Sequence, residues 1–168
     1  MNLSEKLKTF IAKKESNIVE LPTTSSKYPS VDKILGADIV KNLYGEHLIL
    51  EKLYSPCHEH GNVELSGVFR ISGETLCLMA KNIEFEGFDF RRTLFIDTET
   101  TGLAGGTGTL AFLIGIGYFS KDSFKILQYF MRDYDEERAV LSTLENCVKD
   151  FDYIVSFNGK AYDIPLLS

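Results

Sequence analysis

The stretch FIDTETTGLAGGTGT, residues 95–109, places two carboxylates at the end of an apolar run and follows them with a loop of glycine and threonine. Together with the residues before it, the run TLFID (93–97) is typical of a β-strand. Side chains two positions apart on a strand point to the same face, so Asp97 and Glu99 are expected to lie side by side.

Neighbouring carboxylates repel each other unless they are protonated or bridged by a cation. Hard divalent ions such as Mg²⁺ and Mn²⁺ prefer carboxylate oxygens, so the pair Asp97 and Glu99 predicts metal ligands. The glycine-rich loop after them would let the backbone of a ligand approach closely. Taken alone, Asp97 and Glu99 could be two exposed acids at a strand end. The glycine-rich loop could be a flexible hairpin connection.

Further strands follow the loop. The apolar residues 110–119 predict a central strand covered on both faces, because ten residues are too few to span a membrane. A polar turn at 120–123 leads to a third strand at 124–131, and so short a connection implies antiparallel pairing.

A helix and a fourth strand complete the pattern. Asp133 with Glu136 resembles a capping box, and an apolar stripe follows it. The segment YIVSF (153–157) predicts a buried fourth strand, and the strand–helix–strand crossover indicates a mixed α/β sheet. The stripe consists of Val140, Leu141, Leu144, Cys147 and Val148.

A second polar motif, SFNGKAYDIPLL (156–167), follows the fourth strand and contains Asn158 and Asp163. Asp163 could simply cap a helix that starts with Ile164 and Pro165. If the fourth strand lies parallel beside the first, both acidic motifs end at the same sheet edge, where α/β sheets usually bind ligands.

Composition limits the other possibilities. The net charge of −6 argues against a domain that holds nucleic acid by charge alone, so nucleic acid would have to bind in a local cleft. Three irregularly spaced cysteines argue against a disulfide framework and suit a reducing cytoplasm. The organisation we predict is an N-terminal helix and linker (1–30), a small α+β extension (31–90) and the main domain (91–168).

Two motifs carry a family resemblance. FIDTETTGL (95–103) resembles the first motif of the DEDD-type 3′–5′ exonucleases of the ribonuclease H-like superfamily, and FNGKAYDIPLL (157–167) resembles their second. The longer string at 95–119, with QYFMRDYDEE (128–137) after it, is most similar to the bacterial YprB-type ribonuclease H-like proteins. The resemblance implies a ribonuclease H-like mixed sheet with three antiparallel strands and then a parallel strand.

The resemblance also implies hydrolysis of phosphodiester bonds in DNA or RNA by two Mg²⁺ or Mn²⁺ ions, which lie roughly 4 Å apart in such sites. By motif position, Asp97 would bridge the metals, Glu99 would hold the metal that activates water, and Asp163 would hold the second metal. In substrate binding, Thr100, Thr101 and Leu103 would lie against the terminal nucleotide. Asn158 would help to shape the loop.

The family pattern has a third motif, a final Asp with a preceding Tyr or His as general base, and residues 1–168 do not contain it. We therefore expect a domain that is incomplete at its C-terminus, with weak or no nuclease activity and an exposed sheet edge that favours self-association. Two other functions stay open: a non-catalytic module that binds nucleic acid or a partner, and a sugar-phosphate or nucleotide hydrolase. The expected partner is single-stranded or terminal nucleic acid, with no membrane.

Overall fold

The computed structural model describes residues 29–102, 109–157, 159 and 163–167, and most of its strands form one mixed sheet. The strands of the described residues are β1 (Asp38–Asn42), β2 (Gly45–Tyr54), β3 (Glu59–His60), β4 (Val63–Glu64), β5 (Thr93–Thr100), β6 (Ala111–Ser120), β7 (Ser123–Phe130) and β8 (Tyr153–Ser156). The α-helices are α1 (Val31–Leu35), α2 (Gly73–Ala80), α3 (Glu137–Val148) and α4 (Asp163–Leu167).

The strand order of the large sheet is β1-β2-β7-β6-β5-β8, while β3 and β4 form a separate hairpin. Neighbouring strands are antiparallel except for β5 and β8, which run parallel with Leu94 opposite Ile154. This confirms the predicted mixed sheet, in which three antiparallel strands are followed by a strand parallel to the first. β1 and β2, which precede residue 90, pair into the same sheet.

The long hairpin of β6 and β7 has an aromatic contact at its centre. The ring of Phe124 lies over Gly117, and a Cβ added at Gly117 would meet the Phe124 ring at 2.7 Å. A side chain at Gly117 would therefore displace the Phe124 ring. The central strand predicted at 110–119 is confirmed as β6. No α-helix in the described ranges is long and apolar enough to cross a membrane.

The hydrophobic core lies between one face of the sheet and α3. Leu94, Ile96 and Ile114 from the strands are almost fully buried against Val140 and Leu144 from the helix. Full burial of one such side chain contributes about 1.5–3 kcal/mol, so this face supplies much of the driving force for folding. The apolar stripe predicted on the helix thus packs onto the sheet as expected.

The opposite face of the sheet is covered by aromatic residues from the segment that precedes β5. Phe69 packs against Phe119 with ring centroids 4.6 Å apart, and Phe90 stacks with Phe95 at 6.5 Å. Phe69 and Phe90 belong to two short 3₁₀ helices, Leu65–Arg70 and Phe90–Arg92. The beginning of β5 is therefore covered on both faces.

Two details of the sequence prediction are wrong. β8 was expected to be buried, but Ile154 is 44% exposed because β8 is the last strand in the order of the described sheet. The predicted capping box does not form, since the Glu136 carboxylate accepts a hydrogen bond from the backbone N–H of Arg132 instead of Asp133. A 3₁₀ turn, Tyr134–Glu136, intervenes before α3 begins.

Candidate active site

Two of the predicted acids lie at the carboxyl end of β5. Asp97 and Glu99 are both exposed, and strand alternation places them on the same face. Directly opposite Asp97 on β6 is Gly115, so no side chain of the neighbouring strand shields the Asp97 carboxylate. The two carboxylates are therefore accessible to a ligand from solvent.

The strand becomes irregular immediately after these acids. The pairing of β5 with β6 shifts register between Glu99 and Thr100, as in a β-bulge. Such bulges occur often beside active sites, where they redirect the chain and its side chains. Here the shift marks the point where β5 leaves the regular sheet, just before Thr101 and Gly102.

The turn after β5 is held by its own hydrogen bonds. The Thr100 hydroxyl donates to the carbonyl oxygen of Gly102 at 2.8 Å. The backbone N–H of Leu110 donates to Thr101 Oγ1 at 3.1 Å, and the backbone N–H of Thr101 donates to the Leu110 carbonyl at 2.9 Å. Both threonines thus shape the turn, and the Thr101 hydroxyl still has its own proton to donate to a ligand.

The third acid, Asp163, reaches β5 from α4. Its side chain is buried, and the Thr98 hydroxyl donates a hydrogen bond to Asp163 Oδ1 at 2.5 Å. A buried carboxylate is costly unless it is hydrogen bonded, so this contact fixes where α4 meets the strand. The helix begins at Asp163 itself and not at Ile164 as the sequence predicted, and the Asp163 carboxylate bonds to β5.

Gly159 allows this approach of the helix. A Cβ at Gly159 would lie 1.8 Å from Ser156 Oγ and 2.9 Å from Asp163 Oδ2, so no other residue fits. The Gly159 carbonyl accepts a hydrogen bond from the backbone N–H of Ile164, at 2.9 Å, and so holds the first turn of α4.

Sequence reasoning missed Thr98 and Gly159. The signal for Thr98 was its position between two acids on a strand, where alternation turns it toward the face that carries the core. Asp97 and Glu99 point to the other face, so Asp163 contacts the strand on the Thr98 side. Two other predicted residues, Leu103 and Asn158, lie outside the described residues.

The three carboxylates suit a hard cation by their chemistry, but their side chains do not close around one. In the described ranges, no group of three or more His, Cys, Asp or Glu side chains is placed to hold a metal ion. Within the same ranges, no arginine or lysine lies at ion-pair distance from Asp97, Glu99 or Asp163. Their negative charge is thus not balanced by a described side chain, as expected of carboxylates that bind a cation.

Comparison with known proteins identifies the family. Residues 94–168 match the family model of the RNase_H superfamily. The uncharacterized protein YprB of Bacillus subtilis (strain 168) is 33% identical over 124 residues, which cover 70% of this chain and 29% of the relative. The chain therefore spans less than a third of this curated relative. The matched region contains β5 to β8, both acidic motifs and the antiparallel-then-parallel sheet. Residues 94–168 of this chain belong to the ribonuclease H superfamily.

Proposed function

We propose that this ribonuclease H-like domain is a metal-dependent 3′–5′ exonuclease-like domain that acts on phosphodiester bonds of DNA or RNA. The observation that carries the proposal is the pair Asp97 and Glu99, exposed on one face at the carboxyl end of β5, with the motif of Asp163 at the same end of the parallel strand β8. Ligands of open α/β sheets usually bind at this edge.

Members of this superfamily generally use divalent metal ions. In this chain Asp97, Glu99 and Asp163 would hold Mg²⁺ or Mn²⁺. When bound, such ions activate a water and stabilise the leaving oxygen. The chain's own part is to present Asp97 and Glu99 on one face of β5, while the Thr100 hydroxyl fixes the backbone just after them; Asp163 would have to leave its hydrogen bond with Thr98 to join them.

As part of this proposal, we expect the 168-residue chain alone to hydrolyse phosphodiester bonds weakly or not at all. The reason is that its sequence contains only the first two acidic motifs. Removing one member of a catalytic set usually costs orders of magnitude in rate. The expected substrate is single-stranded or terminal nucleic acid, and the expected location is the cytoplasm.

Calorimetric titration with Mn²⁺ tests the metal site without depending on turnover. We expect weak binding to the wild-type chain and a clear loss of affinity in Asp97→Ala. Asp122→Ala is a matched control, since it removes one exposed carboxylate from the turn between β6 and β7. Equal Mn²⁺ affinity in the wild type and Asp97→Ala would contradict the proposal.

A non-catalytic nucleic-acid-binding or interaction module is the second candidate. The observation that favours it is the hydrogen bond of Asp163 to Thr98, which leaves the described acids without a closed metal-binding set. Binding of a labelled single strand in EDTA, together with undetectable Mn²⁺ binding in calorimetry, would favour this module over the nuclease.

A further inference from the structure

A small pocket opens beside the turn that follows β5. Its volume is about 230 Å³. Because β6 begins and β7 ends at this edge, the pocket adjoins the strand end that carries Asp97 and Glu99. The residues that line it are Thr101, Phe112, Met131, Arg132, Asp133 and Tyr134.

Three of the residues that line the pocket, Phe112, Met131 and Tyr134, are apolar or aromatic, and the other three are polar or charged. Met131 is buried and Phe112 is half-buried, whereas Tyr134 is 64% exposed. Among the described residues, Tyr134 has no aromatic stacking partner. Its backbone is nevertheless fixed, since its N–H donates to Asp133 Oδ1 at 2.7 Å. The pocket thus offers an exposed ring on a fixed turn.

Charge decides what kind of ligand fits. The cation that lines the pocket, Arg132, is already engaged: its Nε donates to Glu136 Oε1 at 2.6 Å. This hydrogen bond to Glu136 raises the pKa of Arg132, and the positive charge of Arg132 is offset by the carboxylate of Glu136. Asp133 adds a negative charge. A phosphate would therefore be disfavoured here, whereas a flat uncharged group would not.

Size and hydrogen bonding point the same way. Pockets for drug-sized ligands usually measure about 300–1,000 Å³, so this pocket suits one smaller planar group. The Thr101 hydroxyl, which already accepts from the Leu110 N–H, can donate its proton to an acceptor on that group. Proteins that bind single-stranded nucleic acid generally stack its bases on exposed aromatic rings.

We propose that this pocket binds one base of a single-stranded nucleic acid, stacked on Tyr134 and hydrogen bonded by Thr101. The inference rests on the proposed function, because it assumes that nucleic acid reaches the neighbouring carboxylates. Replacing a stacking ring by alanine weakens binding by about ten-fold or more for a base that depends on it.

The test is the binding of a fluorescein-labelled oligothymidylate in EDTA, followed by anisotropy, where no metal-dependent hydrolysis can occur. Tyr134→Ala should weaken binding about ten-fold, whereas Tyr134→Phe should bind like the wild type. Tyr44→Ala is the matched control, because Tyr44 is also exposed but lies in the turn between β1 and β2. A strand of abasic residues should bind the wild type and Tyr134→Ala equally.

A second readout uses the absence of tryptophan from the sequence. Tyr134→Trp introduces a single reporter whose fluorescence should be quenched by oligothymidylate, whereas Tyr44→Trp should not respond. If the wild type binds oligothymidylate but Tyr134→Ala binds it equally well, the base pocket is wrong and the nuclease proposal stands. If the wild type binds no oligonucleotide while Mn²⁺ still binds at Asp97, both the pocket and the nucleic-acid substrate are wrong.

Discussion

His47 provides a strong test of the core because it is a buried histidine that makes no hydrogen bond with the residues that the structure describes. Its side chain on β2 is fully buried, and neither ring nitrogen has a partner in the described part of the chain. The imidazole stacks on Tyr129, with ring centroids 6.2 Å apart. Burial lowers the pKa of His47; the charge of Glu136 opposes this effect, and that of Arg132 adds to it. The imidazole is therefore neutral in the folded protein at pH 7.

The direction of the pH effect follows from this lowered pKa. The unfolded chain binds a proton on His47 near pH 6.5, and the folded chain does so only at lower pH. The stability of the folded state is thus unaffected by His47 above about pH 6.5 and falls as the pH drops below this value. The loss reaches about 1.4 kcal/mol for each pH unit between the two pKa values.

Replacing His47 with leucine should remove both effects. Two unpaired buried nitrogens disappear, and each such group costs about 1–3 kcal/mol, partly offset by imperfect packing of the new side chain. We therefore expect His47→Leu to be as stable as the wild type or up to about 2 kcal/mol more stable at pH 7.5, with a flatter decline toward pH 5.5. Urea unfolding at both pH values measures this.

The matched control is His60→Leu, because His60 is exposed and its replacement should have little effect on stability. A loss of more than about 2 kcal/mol in His47→Leu at pH 7.5 would show that the ring nitrogens are hydrogen bonded after all, which would refute the reasoning.

Three further predictions concern α4 and the edge of the sheet. Thr98→Val should destabilise the fold by about 1–3 kcal/mol in urea unfolding, because it leaves the buried Asp163 without its donor, while Thr98→Ser should not. Gly159→Ala should lower the free energy of unfolding by about 1–3 kcal/mol in the same assay. Gly67→Ala is the control and should lower it little, because a Cβ there would meet its nearest atom at 3.6 Å. Equal effects would contradict the close approach of Gly159 to Ser156 and Asp163. The chain should self-associate through β8 in sedimentation velocity. Ile154→Lys should reduce this association, whereas Leu78→Lys, which changes an even more exposed apolar residue on α2, should not; a monomeric wild type would rule it out.

The elements with a clear pattern of apolar residues were predictable from sequence. β6 combines a continuous apolar run with a polar turn after it, and α3 has an apolar stripe at helical spacing, so each pattern has one physical interpretation. The same reasoning failed for β8, since an apolar segment looks buried whether or not another strand covers it. Burial at a sheet edge depends on neighbours that the local sequence does not specify.

The candidate site shows the same division between local and long-range information. Asp97 and Glu99 were predictable because their spacing of two fixes a shared face of β5, independent of the rest of the fold. Asp163 depends on contacts across the chain: it reaches β5 because Gly159 leaves no side chain between Ser156 and the helix, and because Thr98 offers a hydroxyl on the core-facing side. A metal that binds all three carboxylates would therefore have to draw Asp163 away from Thr98. For this reason Thr98→Val, which frees the carboxylate, is expected to strengthen Mn²⁺ binding even as it weakens the fold. Mn²⁺ affinity that falls in Thr98→Val would instead mean that the hydroxyl holds Asp163 in its ligating position.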